Sequence, residues 1–500
     1  MSLPLTPDDI TRRCNRLARI IADDLADRQT RDGNFPLPEF YAKGFACALW
    51  TELDAHRYKK NINRAFDALI AEVPDRTYHR EFIKYALLAI PGLSKETRNS
   101  ILKNARNLAP DVANWQILGL GNHQAKASSF FNKLLGLLHT GFIRYRYWRS
   151  PVFLDRPGCF SAQYHAFCAA LFSDSPTPSD RVIASNATGL IAALVGDHGY
   201  ANLLGRGAGQ SFGAVCALYV LMKHGFSPQA EAVLYRLEEA ILNAGTMPLN
   251  LLTARPLPEN PGPANPQTPG WYSYNRHDDY LAFAGYWLHR AATLKPADSP
   301  AGQSIQSQLI FLKTTQSYHV QMALVGKQSF DVSSSPVIIA GHGQDAILLL
   351  PPTGGETDQQ SLYTPTSTPL PMASDGQVGL FQKAQRVSKT EVRIQFSLAG
   401  KQGSRTLTFA DDEICITDCC PDPVSGKPDL FRLLFNGELG LARISDHELF
   451  VARLGVRIHC DHPISIDQND TYTAAGPAQR ITAPGCNLAK LSIRWETRHV

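Results

Sequence analysis

The spacing of apolar residues changes once along these 500 residues, and that change limits the possible folds more than any single motif does. From about residue 8 to residue 295, apolar positions recur every three or four residues, the period of a helix that buries one face. Stretches such as "EFYAKGFACALWTEL", "SDRVIASNATGLIAALV" and "QAEAVLYRLEEAILNAG" make up about a dozen such segments, separated by short Pro, Gly and Asp turns. Short turns force consecutive helices into antiparallel hairpins, and so long a series must close into a ring or stack as a solenoid. No fixed-period self-similarity is present, which favours an α/α toroid. After about residue 315 the period becomes two, and "TEVRIQFSLAG", "RTLTFADDEICITD" and "LAKLSIRWETR" predict an antiparallel β-sandwich. The Pro/Gly/Ser stretch "LKPADSPAGQS" sets the boundary, with the toroid over 1–305 and the sandwich over 306–500.

Composition removes several classes of function. A net charge of +4, from 49 basic and 45 acidic residues, is too small and too mixed for nucleic-acid binding. No run approaches the roughly 18 apolar residues of a membrane-spanning helix. The start "MSLPLTPDDITRRCNRLARI" lacks a basic-then-apolar leader, so the chain as given reads as cytoplasmic, or as periplasmic or secreted if a signal peptide was trimmed. Ten scattered cysteines without a C-x-x-C pair are expected to be reduced, buried thiols, and no metal is assigned. The alternative is a structural metal at "RIHCDHP", through His459, Asp461 and His462.

Five stretches carry candidate chemistry. In "GLGNHQAKASSFFNKLLGLLHTGF" the pair Asn122 and His123 is expected to open a helix, either as its cap or projecting into a cleft where the helix N-terminus favours a carboxylate. Tyr164 and His165 interrupt the apolar helix "SAQYHAFCAALF", where a buried phenol needs a partner. "GRGAGQS" lacks the preceding strand and following Lys-Ser/Thr of a phosphate loop, leaving Arg206 and Gln210 as donors where backbone must approach something closely. A proline-rich segment over residues 245–275 has the length of a lid or cleft wall and ends in Trp271, Tyr274 and Asn275, next to His277, Asp278 and Asp279. The two aspartates read as helix caps or, with a distant carboxylate, as a hydrolytic pair. His342 and Asp345 lie at the start of an early strand in "GHGQDAILLL".

The motifs "NWQILGLGNHQAKASSFF", "PGCFSAQYHAF" and "GHGQDAILLL" resemble those of the heparinase II/III-like polysaccharide lyases and the related alginate lyases. That resemblance implies an incomplete α/α toroid followed by a β-sandwich. It implies that Asn122 and His123 match the family's Asn-His pair and Tyr164 its catalytic tyrosine, with His165 beside it. His342 matches the first histidine of a His-x-His-x-Asp pattern whose second histidine is replaced here. The implied reaction is β-elimination on a uronate-containing glycan. Asn122, with His123 or Arg206, would neutralise the carboxylate, and Tyr164 would act as base and acid, assisted by His165, His277 or His342. Gln210, Trp271, Tyr274, Asn275 and His277 are the expected substrate contacts. No cofactor is required, and the expected partner is an acidic polysaccharide or oligosaccharide. A glycoside hydrolase using Asp278 or Asp279 and a non-catalytic glycan-binding protein are the rival readings.

Overall fold

The computed structural model describes residues 7–72, 79–102, 111–125, 130–253, 276–295, 307–326, 336–353, 369–420, 426–467 and 472–496. Six helices form an inner ring: α2 (Ala42–Asp54), α4 (Arg80–Ala89), α6 (Ala113–Gln124), α8 (Ala162–Ser173), α10 (Ser211–Lys223) and α12 (His277–Ala292). Each packs on the next, and α12 packs back on α2. The partners outside them are α1 (Pro7–Arg28), α3 (Lys59–Ala71), α5 (Lys95–Ile101), α7 (Phe130–Tyr147), α9 (Pro178–Val195) and α11 (Ser227–Ala244). The inner layer thus closes, and the toroid is thinnest outside, where α5 has seven residues.

Burial follows from position. Every residue of α8 is buried, as is α10 from Ser211 to Leu221, because a helix with neighbours on all sides must be apolar all round. The ring axis is filled by aromatics: Phe212 stacks on Phe283 with centroids 3.9 Å apart, and Phe167 meets Phe283 and Trp287 edge-on. That plug divides the axis into two separate mouths, with no shared lining residue.

The predicted helix over residues 119–142 is two helices. Asn122 and His123 lie in the last turn of α6, and the next described helix is α7 (Phe130–Tyr147). The helix N-terminus expected at this pair is therefore a C-terminus, whose carbonyl end carries the opposite partial charge. His342 likewise lies outside a strand, in the turn between β5 (Val337–Ala340) and β6 (Ile347–Leu350).

The β region has two main layers. An eight-stranded antiparallel sheet includes β8 (Glu391–Leu398), β9 (Lys401–Phe409), β10 (Glu413–Cys419) and β18 (Leu488–Trp495), whose alternate residues point into the sandwich core. The other layer contains the antiparallel sheet β3 (Ile310–Thr314), β4 (Tyr318–Ala323), β5, β6, and beside β6 the strand β11 (Leu430–Asn436). β4 and β5 are buried on both faces: Ile338 and Ala340 face the sandwich, whereas Val337 and Ile339 face Leu190, Leu194 and Leu203 of the toroid. The unbroken apolar run of β5 reflects that double contact, while β4 also buries His319 and Gln321. All ten cysteines are free, eight of them buried. Among the described residues no helix is long and apolar enough to cross a membrane, and no cluster of three His, Cys, Asp or Glu is arranged to hold a metal.

Within the sandwich, Arg405 and Asp418 stand opposite each other on β9 and β10 with no exposed side-chain surface. The guanidinium makes two bonds to the carboxylate, 2.6 and 2.7 Å, and a third to the Phe431 carbonyl. The same carboxylate accepts the Phe431 N–H, fixing a backbone that turns through positive φ at Phe431 and Arg432. Arg405→Met should lower stability by about 3–5 kcal/mol, since it strands a buried carboxylate, and Arg405→Met with Asp418→Leu should recover much of that loss. Denaturant midpoints of the two variants check this.

Candidate active site

One mouth of the toroid opens into a cavity of about 430 Å³, and every inner helix contributes to it from its cap or first turn. Tyr41 comes from α2, His79 from α4, Asn114 and Trp115 from α6, Tyr164 from α8, Phe212 from α10, and Arg276 and Tyr280 from α12. Each helix start brings N–H groups that its own helix cannot satisfy and about half a positive charge. Arg156, Arg206 and Arg276 line it against one carboxylate, Asp279, and although Arg206 is paired with Asp155 the formal charge of the lining is positive, which suits an anion.

Two side chains in it are held with care. Ser161 caps α8, accepting the Tyr164 N–H, while its hydroxyl donates to the Arg206 carbonyl at 2.6 Å. The Arg206 guanidinium lies over the Tyr164 ring, 4.4 Å from its centroid, and is gripped by both oxygens of Asp155 at 3.1 and 2.9 Å. The Asp155 backbone carbonyl accepts the Ala113 N–H at the start of α6. Asp155 therefore registers Arg206 against the helix that carries Asn114. The glycine loop follows from the same crowding: Gly205 and Gly207 have φ of +77° and +80°, and a Cβ on either would lie 2.2 Å from the Phe160 carbonyl or 2.4 Å from the Gln163 amide. Only glycine allows that approach.

Asn114 is the anomaly. It is 1% exposed, and neither its amide nitrogen nor its oxygen has a hydrogen-bond partner among the described residues. A buried unpaired amide costs about 1–3 kcal/mol, so native structures keep one only where something else compensates.

The expected site residues divide sharply. Tyr164 and Arg206 line the cavity, and Gln210 lies behind its wall, accepting from the Tyr280 hydroxyl at 3.2 Å. Asn122 faces the opposite mouth, and its amide donates to the Glu81 carboxylate at 2.8 Å and carbonyl at 2.9 Å. His123 meets the Asn132 carbonyl at 3.1 Å. His165 points away from Tyr164: its Nδ1 accepts the Phe153 N–H at 3.0 Å, Nε2 lies 3.3 Å from the Ala187 carbonyl, and burial pushes its pKa down to about 4. His342 sits in a separate cleft between toroid and sandwich, paired with Asp197 at 3.1 Å. His277 is not among the cavity-lining residues. Trp271, Tyr274 and Asn275 lie outside the described residues.

Of the two aspartates only Asp279 caps a helix, and that helix is α2 rather than their own α12. Asp279 accepts the N–H groups of Phe40, Tyr41 and Ala42 at the start of α2, and Asp278 holds Arg28 at 2.8 Å. Burial beside Glu39 pushes the Asp279 carboxyl up, against those three amides.

Sequence reasoning missed Asn114, Trp115, His79 and Arg156. The usable signal lay in "PDVANWQ", where a turn is followed by an Asn in the first helical turn, eight residues before the pair that was chosen.

No family profile matches the chain, and no characterised protein matches it by sequence. Among solved structures, it is similar to the Streptomyces coelicolor A3 chondroitin AC lyase in complex with chondroitin sulphate, with a TM-score of 0.51 and 10% identity over 98% of this chain and 80% of that one. A mutant of the same lyase gives a TM-score of 0.46 at 10% identity, covering 98% and 83%. At this identity the likeness establishes a shared fold, a helical toroid followed by antiparallel sheets.

Two outcomes distinguish the two asparagines. Asn114→Leu should leave the thermal midpoint unchanged or raise it, whereas Asn122→Leu should lower stability by about 1–3 kcal/mol, because the buried Glu81 carboxylate and carbonyl each lose a donor. Thermal melts of both variants decide it. For His165, the folded state binds fewer protons than the unfolded one between pH about 6.5 and about 4, so stability is present above that window and lost as pH falls through it. His165→Gln should flatten that acid limb, by up to about 1.4 kcal/mol per pH unit, in melts run as a pH series.

Proposed function

We propose that the chain is a polysaccharide lyase that cleaves a uronate-containing acidic glycan by β-elimination, with its chemistry at the Tyr164 cavity. The observation that carries this reading is the unpaired, buried amide of Asn114 in a cationic cavity shared with Tyr164. A sugar carboxylate is a ligand that would satisfy that amide and the surrounding positive charge together.

The chemistry asks for these groups. The proton on C5 of a uronate is barely acidic while its carboxylate remains ionised. Donors aimed at the carboxylate stabilise the enolate-like charge as that proton leaves. Asn114 donates one hydrogen bond, and Arg276 with the α6 N-terminus supplies positive potential. The Tyr164 phenolate takes the C5 proton, the C–H electrons form the C4–C5 double bond, and the bond from C4 to the leaving oxygen breaks. The phenol then returns its proton to that oxygen. Arg206, over the ring, opposes the negative charge Tyr164 carries in the first step. Trp115 and Tyr280 offer aromatic surface for sugar faces.

Asn114 replaces Asn122 in this scheme, and none of His123, His165 or His342 takes part. Support for the glycan class comes from the chondroitin sulphate lyase whose fold this chain shares. Hydrolysis by Asp278 or Asp279 is disfavoured, since one holds Arg28 and the other caps α2.

The test is a panel of acidic polysaccharides assayed for the ultraviolet absorbance of an unsaturated uronate end. Tyr164→Phe and Asn114→Ala should each reduce that signal by at least about 100-fold with the fold intact. New reducing ends without the absorbance would establish hydrolysis instead. Glycan binding indifferent to Tyr164→Phe, without cleavage, would leave a binding protein.

A further inference from the structure

Helix α7 breaks the burial pattern of the toroid. Its Gly136, Thr140, Ile143 and Tyr147 face inward, with the small Gly136 and Thr140 at the contact. The opposite face exposes Phe130 (83%), Phe131 (65%), Leu137 (59%), Leu138 (64%), Phe142 and Tyr145 (81%) to solvent. At 100° per residue these side chains fall within an arc of about 140°, pointing straight away from the protein. A continuous face of this kind is on the scale of the largest apolar patch of a soluble monomer, and such patches are often functional.

The rims of that arc are cationic. Lys133 and Arg144 border one side and Arg146 the other, and α7 carries no Asp or Glu. Arg144 pairs with Asp180 and Arg146 with Asp111, while exposed Lys133 forms no ion pair among the described residues. Just beyond the helix, Trp148 and exposed Arg149 extend the aromatic and basic character. Phe and Leu on one arc, Lys and Arg at its edges and aromatics at its end are the composition of a helix lying in the plane of a lipid interface.

Size and charge both argue against a second copy of the chain as the occupant. Eighteen residues make a helix of about 27 Å, and one face about 10 Å wide offers on the order of 300 Å². A stable protein interface needs about 800 Å² per partner. Pairing two such faces would also bring like-charged rims together. We propose that α7 is an interfacial anchor that rests the rim of the toroid on a membrane bearing anionic headgroups. The inference is independent of the reaction assigned to the Tyr164 cavity.

Co-sedimentation of the full chain with phosphatidylcholine vesicles, with and without phosphatidylglycerol, tests it. The expected result is binding that phosphatidylglycerol strengthens and salt weakens. The pair Phe131→Glu and Leu138→Glu should reduce binding about 100-fold without lowering the thermal midpoint, since both sites are exposed. The pair Lys133→Glu and Arg149→Glu should abolish only the preference for phosphatidylglycerol. If the glutamates disturb folding, Leu137→Ser with Phe130→Ser gives the same readout. Wild-type protein that ignores every vesicle overturns the proposal. So does a dimer in sedimentation velocity that Phe131→Glu with Leu138→Glu dissociates, in the absence of vesicle binding.

Discussion

Six helix starts brought to one place are the constraint on which the rest of this structure depends. Inner helices that are apolar all round can be buried only by each other, and alternate hairpin strokes of a ring all run the same way. Their first turns therefore meet at one mouth, with N–H groups that no helix can satisfy internally. The fold meets part of that demand itself: Asp279 takes three amides at the start of α2, and the Asp155 carbonyl takes one at the start of α6. What is left is a concave, positively biased surface, which is what an anionic ligand needs before any catalytic residue is considered.

The catalytic candidates are placed by backbone and side-chain contacts together. The Ser161 hydroxyl bonds the Arg206 carbonyl, the glycine loop allows the close approach and the Asp155 carbonyl holds the start of α6, while the Asp155 carboxylate fixes the Arg206 guanidinium over the Tyr164 ring. The sandwich contributes at a distance. Its β3–β6 sheet is buried between two cores and presses on α9 and the Leu203 loop, and Tyr200 and Arg236 reach across to the Ala346 carbonyl at 3.1 Å each. That contact steadies the segment which leads directly into the glycine loop.

Much of the architecture was legible in the chain. The change of period separated helices from strands, and the pairing of short turns with apolar stripes called for a toroid. Tyr164 was recognisable as a phenol in an apolar helix, and Arg206 as a donor flanked by glycines. The Asn-His pair misled because a hydrophobic run of helical period hides a helix end: residues 113–124 and 130–147 are two helices whose apolar patterns read continuously. His165, one residue from Tyr164, turns 100° around the same helix and is used for packing.

The sequence by itself determined the class of fold and the kinds of side chain available, because periodicity and turn chemistry act over a few residues and need no partner. Only the tertiary structure decided which asparagine shares a cavity with Tyr164. Asn114 and Asn122 sit eight residues apart on one helix, and the distinction between them arises when Phe167, Phe212, Phe283 and Trp287 fill the ring axis and divide it into two mouths. That packing joins residues far apart in the chain, so no local pattern could carry it. It leaves one amide bonded to Glu81 and the other lining the cavity that holds Tyr164.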